Sequence, residues 1–528
     1  MKATSFAILL VIAAAGLTAQ TPTNAADIER WWGHILSLSN DVMRGRQTGS
    51  PEHRQAAEYV ATEFKKAGLK PGAGSGYLQP VQFVSRRVVE DKSRLALVRD
   101  GAEQPIKFGD QAMLNMRVDH APSVEAPLVF VGHGLVVPEA KHDDLAGVDL
   151  KGKVAVLLTG FPSNIPGPLG SHYQSVRWQA LRAAGAIGTI NIQNPVGQDI
   201  PWDRQMPTRF LPQMAIADPA FDETAGQQLS VTFNPAHAEM LFTGSGHTFA
   251  EILAQSKTGK ALPRFPLKGS IRAVVGVERT PVTSENVVGI LPGTDPKLKD
   301  EYLVVTAHLD HLGTDNSPGD NIYNGTMDNA SGIATLIETA AAAAVRKGFK
   351  RSIAFVAVTA EEKGLLGSRY YAMKPTVPAR SIVANLNTDM FLPLFPLKSI
   401  IAQGLEESDL AADLRAVAKA TGIEALSDPE PERNAFTRSD QYSFIRSGIP
   451  ALSLKVGFVK DSPEHEMVRK WRAERYHSPR DDLAQPVDKQ AAVDFNRVYL
   501  RLLEAVANRP TRPAWNRNSF FRRFAQSN

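Results

Sequence analysis

Three segments of this 528-residue chain are apolar without alternation: YLVVTA at 302–307, SIAFVAVT at 352–359 and IVANL at 382–386. A strand with one wet face alternates polar with apolar; a run that does not alternate is covered on both faces. Helical spacing rich in Ala, Leu and Ile fills 330–346, and a second helical stretch fills 365–373. From Glu285 the rhythm is therefore strand–helix–strand. It predicts an α/β fold, a three-layer, mostly parallel sheet with helices on both sides.

The rest of the chain divides around that rhythm. Ile28, Trp31, Trp32, Ile35 and Leu36 recur at helical spacing, and 54–67 repeats the pattern with Ala57, Tyr59, Val60, Phe64 and Ala67 before Gly68 closes it. Between 83 and 268 the pattern changes to short β-like runs punctuated by Gly and Pro, with one helix candidate at 176–184. This reads as a β-rich domain inserted into the α/β domain. The expected division is a leader at 1–19, the α/β domain at 27–82 and 269–508, the insertion at 83–268 and a tail at 509–528. The tail holds five Arg, Trp515, Phe520, Phe521 and Phe524, and is expected to pack loosely on the body.

Lys2, the ten-residue apolar run FAILLVIAAA and Ala19 before Gln20 have the form of an export signal, with Ala25 the second choice of cleavage point. The run is half the length of a bilayer span of about 20 residues. The expectation is an exported protein, periplasmic or secreted, without stable membrane insertion after cleavage. Lys plus Arg exceeds Asp plus Glu by 59 − 55 = 4, which is no footprint for nucleic acid. Cysteine is absent, so disulfides, thiol nucleophiles and Cys-held metals are excluded and any metal must sit on His and carboxylates. Nothing in the sequence sets the oligomeric state.

Open α/β sheets bind ligands at the carboxyl ends of their strands. The first apolar strand ends in Ala307-His308-Leu309-Asp310-His311, the second in Thr359-Ala360-Glu361-Glu362, the third in Asn387-Thr388-Asp389-Met390. Asp328 begins a helix between the first two, and His477 lies in YHSPRDDL. Each has an ordinary alternative: Asp328 as an N-cap, Thr359 and Glu362 as a capping box, His477 as a solvated loop residue. Their recurrence at three strand ends favours a metal centre. Two sites, each with one His and one terminal carboxylate and sharing a bridging carboxylate, would hold a zinc pair. Asp310 suits the carboxylate that fixes the tautomer of His308 or of another His. His133, His142 and His172 read as surface or loop residues, and Asp315, Asp320 and Asn321 as a solvated loop.

EYLVVTAHLDHLG, YNGTMDNASG, VTAEEKGLLGS, NLNTDM and YHSPRDDL resemble, in order and spacing, metallopeptidase family 28, the co-catalytic di-zinc aminopeptidases and their relatives. The resemblance implies His308 and Asp389 on one zinc, Glu362 and His477 on the other, Asp328 bridging, Glu361 as general base and Tyr476 near the oxyanion. It also implies peptide substrates, two Zn2+ per chain with Mn2+ or Co2+ as substitutes, and a cis bond at Asp328–Asn329. Met327 and Gln441 depart from the common pattern without touching the five ligand positions. PLVFVGHGLV, DDLAGVDLKGKVAVLL and RWQALRAAGAIGTINI resemble a protease-associated domain. The alternatives are a carboxypeptidase or dipeptidase with Arg438 as carboxylate clamp, a metal-free binding protein, and a single-zinc cyclising transferase.

Overall fold

The computed structural model describes residues 25–196, 198 and 200–525. The expected leader at 1–19 lies outside them. No helix among the described residues is long and apolar enough to cross a membrane.

The main sheet contains β1 (Leu78–Val88), β2 (Gln213–Ile216), β3 (Val277–Leu291), β4 (Tyr302–His308), β5 (Ser352–Val358), β6 (Ile382–Thr388), β7 (Ser399–Gln403), β8 (Glu424–Leu426) and β9 (Ala451–Val456). Their order in space is β2-β1-β3-β5-β4-β6-β9-β7-β8, and the short strand Lys70–Pro71 also pairs with β3. Pairing is parallel from β5 through β4 and β6 to β9, and between β7 and β8. The other pairs are antiparallel. The sheet is therefore mixed rather than mostly parallel. Where a helix connects strands the chain crosses over and runs parallel. Where the insertion leaves and returns, the chain doubles back, and β1 and β3 form an antiparallel ribbon in register from Leu78↔Val287 to Val88↔Val277.

The helices used below are α1 (Ala25–Leu38), α2 (Pro51–Lys66), α3 (Gly167–Ser175), α4 (Arg177–Ala183), α5 (Ser331–Arg346), α6 (Leu366–Met373), α7 (Gln441–Arg446), α8 (Pro463–Glu474) and α9 (Lys489–Asn508). The starts of α2 and α8 are written in sequence: Ser50 and Ser462 accept the amides of His53 and His465, and proline follows each cap. Successive strand residues face opposite sides. Leu303, Val305 and Ala307 pack with Trp31, Phe64, Ile333 and Leu502, whereas Val304, Val356 and Val358 pack with Tyr371, Phe444 and Ile445. Both faces are thus covered, as the unbroken apolar runs require.

The segment between β1 and β3 builds an eight-stranded sheet of its own, from Arg94–Arg99 to Arg264–Val274, around Leu97, Phe130, Val156, Ile190 and Phe233. The expected junctions miss the seam: Phe83 lies inside β1 and Lys268 inside the strand Arg264–Val274. One piece of the inserted segment, β2, leaves that body and extends the main sheet, pairing Ile216 with Phe83. Strands shared across the seam leave no change of composition to mark it.

The tail is not loose. Trp515 donates to the Gly448 carbonyl (3.1 Å), and Phe521 is 1% exposed among Phe436 and Trp515. Phe520 and Phe524 flank His172 of α3, and Arg523 pairs with Glu139 of the inserted body. The tail thus straps the two bodies together. His172, expected at the surface, is buried there, and its Nδ1 lies 2.7 Å from Tyr442 Oη. His133 is also buried, at 3.0 Å from the Leu158 carbonyl, and His142 faces Asp144 at 2.9 Å. Asp315 is no solvated loop residue: it is buried and accepts from Tyr323 (2.7 Å).

Candidate metal centre and cleft

His308 ends β4, and its Nδ1–H donates to the Asp310 carbonyl at 3.0 Å. That fixes the tautomer and leaves the Nε2 lone pair inward, 3.2 Å from Asp328 Oδ1 and 3.4 Å from Asp389 Oδ1. His477 Nε2 lies 3.2 Å from both Asp328 Oδ2 and Glu362 Oε2. Asp328 therefore faces one imidazole with each oxygen. The structure brings the five expected ligands together, with Glu361 beside His308 and Asp389.

The Asp310 carboxylate does not orient His308, which the same residue's carbonyl holds. It accepts instead from the amides of Glu361 (3.0 Å) and Glu362 (3.4 Å) and from Thr48 Oγ1 (2.9 Å). Its work is to pin the turn that carries both glutamates. The alternative of a capping box at Thr359 and Glu362 is not realised: Thr359 Oγ1 pairs with Ser284 Oγ, and α6 starts only at Leu366. Asp328 is likewise not the N-cap. It sits in a π-turn, Thr326–Ala330, before α5, and the Asp328–Asn329 peptide is cis as the resemblance implied. Ala360, Met390 and His477 take left-handed backbone (φ 56°, 45° and 51°), unusual away from glycine, and each is an expected ligand or directly precedes or follows one of the clustered residues.

Three residues escaped sequence reasoning. Arg46, fully buried, donates to the carbonyls of Leu309 (3.1 Å), Asn324 (2.7 Å) and Gly325 (3.0 Å), and so ties down the loops after His308 and before Asp328. Asp481, within the quoted YHSPRDDL, accepts the amides of Met327 (2.9 Å) and Asp328 (3.0 Å). His311 is buried with Nδ1 2.7 Å from Glu362 Oε1, and neither of its ring nitrogens is aligned for a hydrogen bond. The second histidine of HLDH was the available signal.

The charges are mutually dependent. Burial would lower the pKa of His308, yet Glu361, Asp328 and Asp389 raise it well above the ordinary value. Burial likewise opposes the charge on His477, but Glu362 and Asp328 raise it to about 9. Glu361 is pushed well upward by burial and by Asp389, Glu362 and Asp440, while Glu362 is drawn well down against burial by His477 and His311. Glu362 Oε1 and Asp389 Oδ1 are buried without hydrogen-bond partners. A neutral His308 and these carboxylates aim lone pairs at common points, and a cation there reconciles them. The donor set, imidazole and carboxylate oxygen, fits zinc.

These residues stand at the inner end of a cleft of about 1000 Å³. Tyr476, Arg438 and Tyr442 line it from the α/β side, and Arg117, Trp178 and Arg182 from the inserted body. Tyr476 Oη accepts from Arg438 Nη2 at 3.1 Å. Residues 286–503, which contain the five expected ligands with Asp310, Glu361 and Tyr476, match peptidase family M28. Residues 286–503 are thus similar to peptidase family M28.

Among curated relatives, aminopeptidase YwaD of Bacillus subtilis is 31% identical over 208 residues, 38% of this chain and 40% of that protein. The chain thus spans about two-fifths of that relative's length. The probable leucine aminopeptidase 2 of Aspergillus oryzae is 23% identical over 502 residues, 90% of this chain and 84% of that one. The solved aminopeptidase from Aneurinibacillus sp. strain AM-1 shares the fold, with TM-score 0.55 and 20% identity over 92% of this chain and 95% of that one.

Proposed function

We propose that this chain is an exported zinc aminopeptidase that binds two metal ions. The observation that carries the reading is the convergence of His308, Asp328, Glu362, Asp389 and His477 on shared points, with Glu361 beside them at the head of a cleft. His308 and Asp389 would hold one ion, Glu362 and His477 the other, and Asp328 both. When bound, the ions supply Lewis acidity and lower the pKa of water towards 7. Glu361, half-buried and not needed as a ligand in this set, accepts the proton of the attacking water and returns it to the leaving amine. Asp310 holds the Glu361 amide and so fixes where that proton is taken up. Tyr476, which lines the cleft and whose oxygen accepts from Arg438, would donate its hydroxyl to the developing oxyanion. Export is supported by the leader pattern, and the inserted segment is read as a protease-associated domain on its sequence.

Glu361→Gln tests the reading. Gln keeps the shape and removes the basicity, so turnover of aminoacyl amides falls by roughly 100-fold or more while zinc per chain stays near wild type. Loss of zinc from this variant would reverse the roles of Glu361 and Glu362. Undiminished turnover would remove Glu361 from the chemistry.

A further inference from the structure

The wall of the cleft opposite the metal-site residues comes from the inserted body, and it carries Arg117 and Arg182 beside Asp222 and Glu223. Arg117 lies in the loop between the strands Ala112–Leu114 and Ser123–Val131. It reaches across the seam and donates from Nη2 to the Glu362 carbonyl (3.1 Å). Among the described residues its other contact of this kind is a long one from Nε to Gln213 Oε1 (3.4 Å), which leaves several of its five N–H groups for other acceptors. Gly364 makes room for it: a Cβ there would stand 3.3 Å from Arg117 Nη1. Arg182 of α4, also exposed, donates to the Ala225 carbonyl (3.1 Å). Among the described residues neither arginine pairs with a carboxylate within 4 Å, unlike Arg369 and Arg446, which share Glu223 at 3.0 and 2.5 Å.

A guanidinium exposed in a cleft and bonded only to neutral acceptors is a fork set for a carboxylate. The metal-site end of the same cleft carries Glu361 and Glu362, whose carboxylates favour an ammonium group. The cleft therefore has the polarity of a short peptide lying amino end inward. We propose that Arg117 and Arg182 form a carboxylate-binding subsite for the part of the peptide beyond the scissile bond, so that the preferred substrates are short peptides that are anionic there. The carboxylate is either the free C-terminus of a di- or tripeptide or an acidic side chain. The proposal rests on the peptidase reading for the orientation of the peptide.

The test uses zinc-loaded full-length protein carrying Glu361→Gln, so that binding is read without turnover. Four peptides are titrated calorimetrically: Leu-Ala as free acid and as amide, and Leu-Glu-amide against Leu-Gln-amide. The first pair reads the C-terminus and the second the side chain. At least one anionic member binds roughly tenfold or more tighter than its neutral partner, and adding R117Q or R182Q narrows that ratio towards one. Equal binding within both pairs overturns the subsite, and so does a ratio that both substitutions leave unchanged. Loss of binding to all four peptides alike in R117Q would show that Arg117 only props the Glu362 turn. A neutral aminoacyl amide assayed with the unsubstituted enzyme separates the two readings. Its hydrolysis upholds the peptidase function whatever the titrations give, and its inertness breaks that function while leaving the binding ratios to decide the subsite.

Discussion

The two walls of the cleft hold their charges in different ways. At the ends of β4, β5 and β6 the charged groups are buried or half-buried and most are held in place by others: His308 by the Asp310 carbonyl, the amides of the two glutamates by the Asp310 carboxylate, Asp328 by Asp481, the surrounding loops by Arg46. On the inserted wall Arg117 and Arg182 are exposed and touch main-chain carbonyls. A buried charge costs several kcal/mol unless it is paired, so the first wall must be over-determined. The second wall lies in water and can vary at little cost. Chemistry is therefore fixed on one side and preference set from the other, with β2 and the C-terminal strap holding the walls in register.

The largest expected effect breaks the first wall. Asp328→Ala removes the group that faces both His308 and His477, so both metals should be lost together, with affinity lower by more than roughly 100-fold. Metal content after dialysis measures this. One metal lost and the other retained in full would mean that Asp328 is not the bridge. A smaller effect should come from the strap. Phe521→Ala opens a cavity where α7, Phe436 and the tail meet, at a cost of about 3–5 kcal/mol. Tyr442, which lines the cleft, packs in the same cluster and is bonded to His172. The thermal midpoint should fall, and KM should rise more than kcat falls. A change in kcat alone would show that the strap acts on the metal site and not on the inserted wall.

Legibility followed the same division. β4, β5 and β6, their helices and the five clustered His, Asp and Glu side chains could be read because each reports a local rule: an apolar run, a helical period, a polar residue at a strand end. What the sequence hid are partners distant along the chain. Arg46 reaches loops more than 260 residues away, and nothing near it in sequence marks it as buried. The antiparallel wing, the strand β2 and the docked tail are pairings between segments whose own patterns are ordinary. Asp310 was found but given the wrong task, because spacing identifies neighbours and not which oxygen faces which proton.

The smallest expected effect is a pH dependence at the strap. Burial, with Arg446 and Arg523 nearby, lowers the pKa of His172 to about 4, while Glu139 opposes the shift weakly. An unfolded histidine titrates near 6.5. Between these values the unfolded chain binds more protons than the folded one, so stability rises with pH across that interval. The contribution of a neutral His172 is complete above about pH 6.5 and is lost as pH falls towards 4. Replacing His172 by Gln removes the titration and keeps a polar partner for Tyr442. The thermal midpoint of the wild type relative to His172→Gln should therefore be highest near pH 7.5 and fall by a few degrees by pH 4.5. Taking this difference cancels His53, whose own lowering to about 3 by burial and Arg46 is common to both proteins. A difference that stays constant over the interval would mean that the imidazole remains protonated against the aromatic rings, and that the strap is held by Arg523 and Glu139 and not by a neutral histidine.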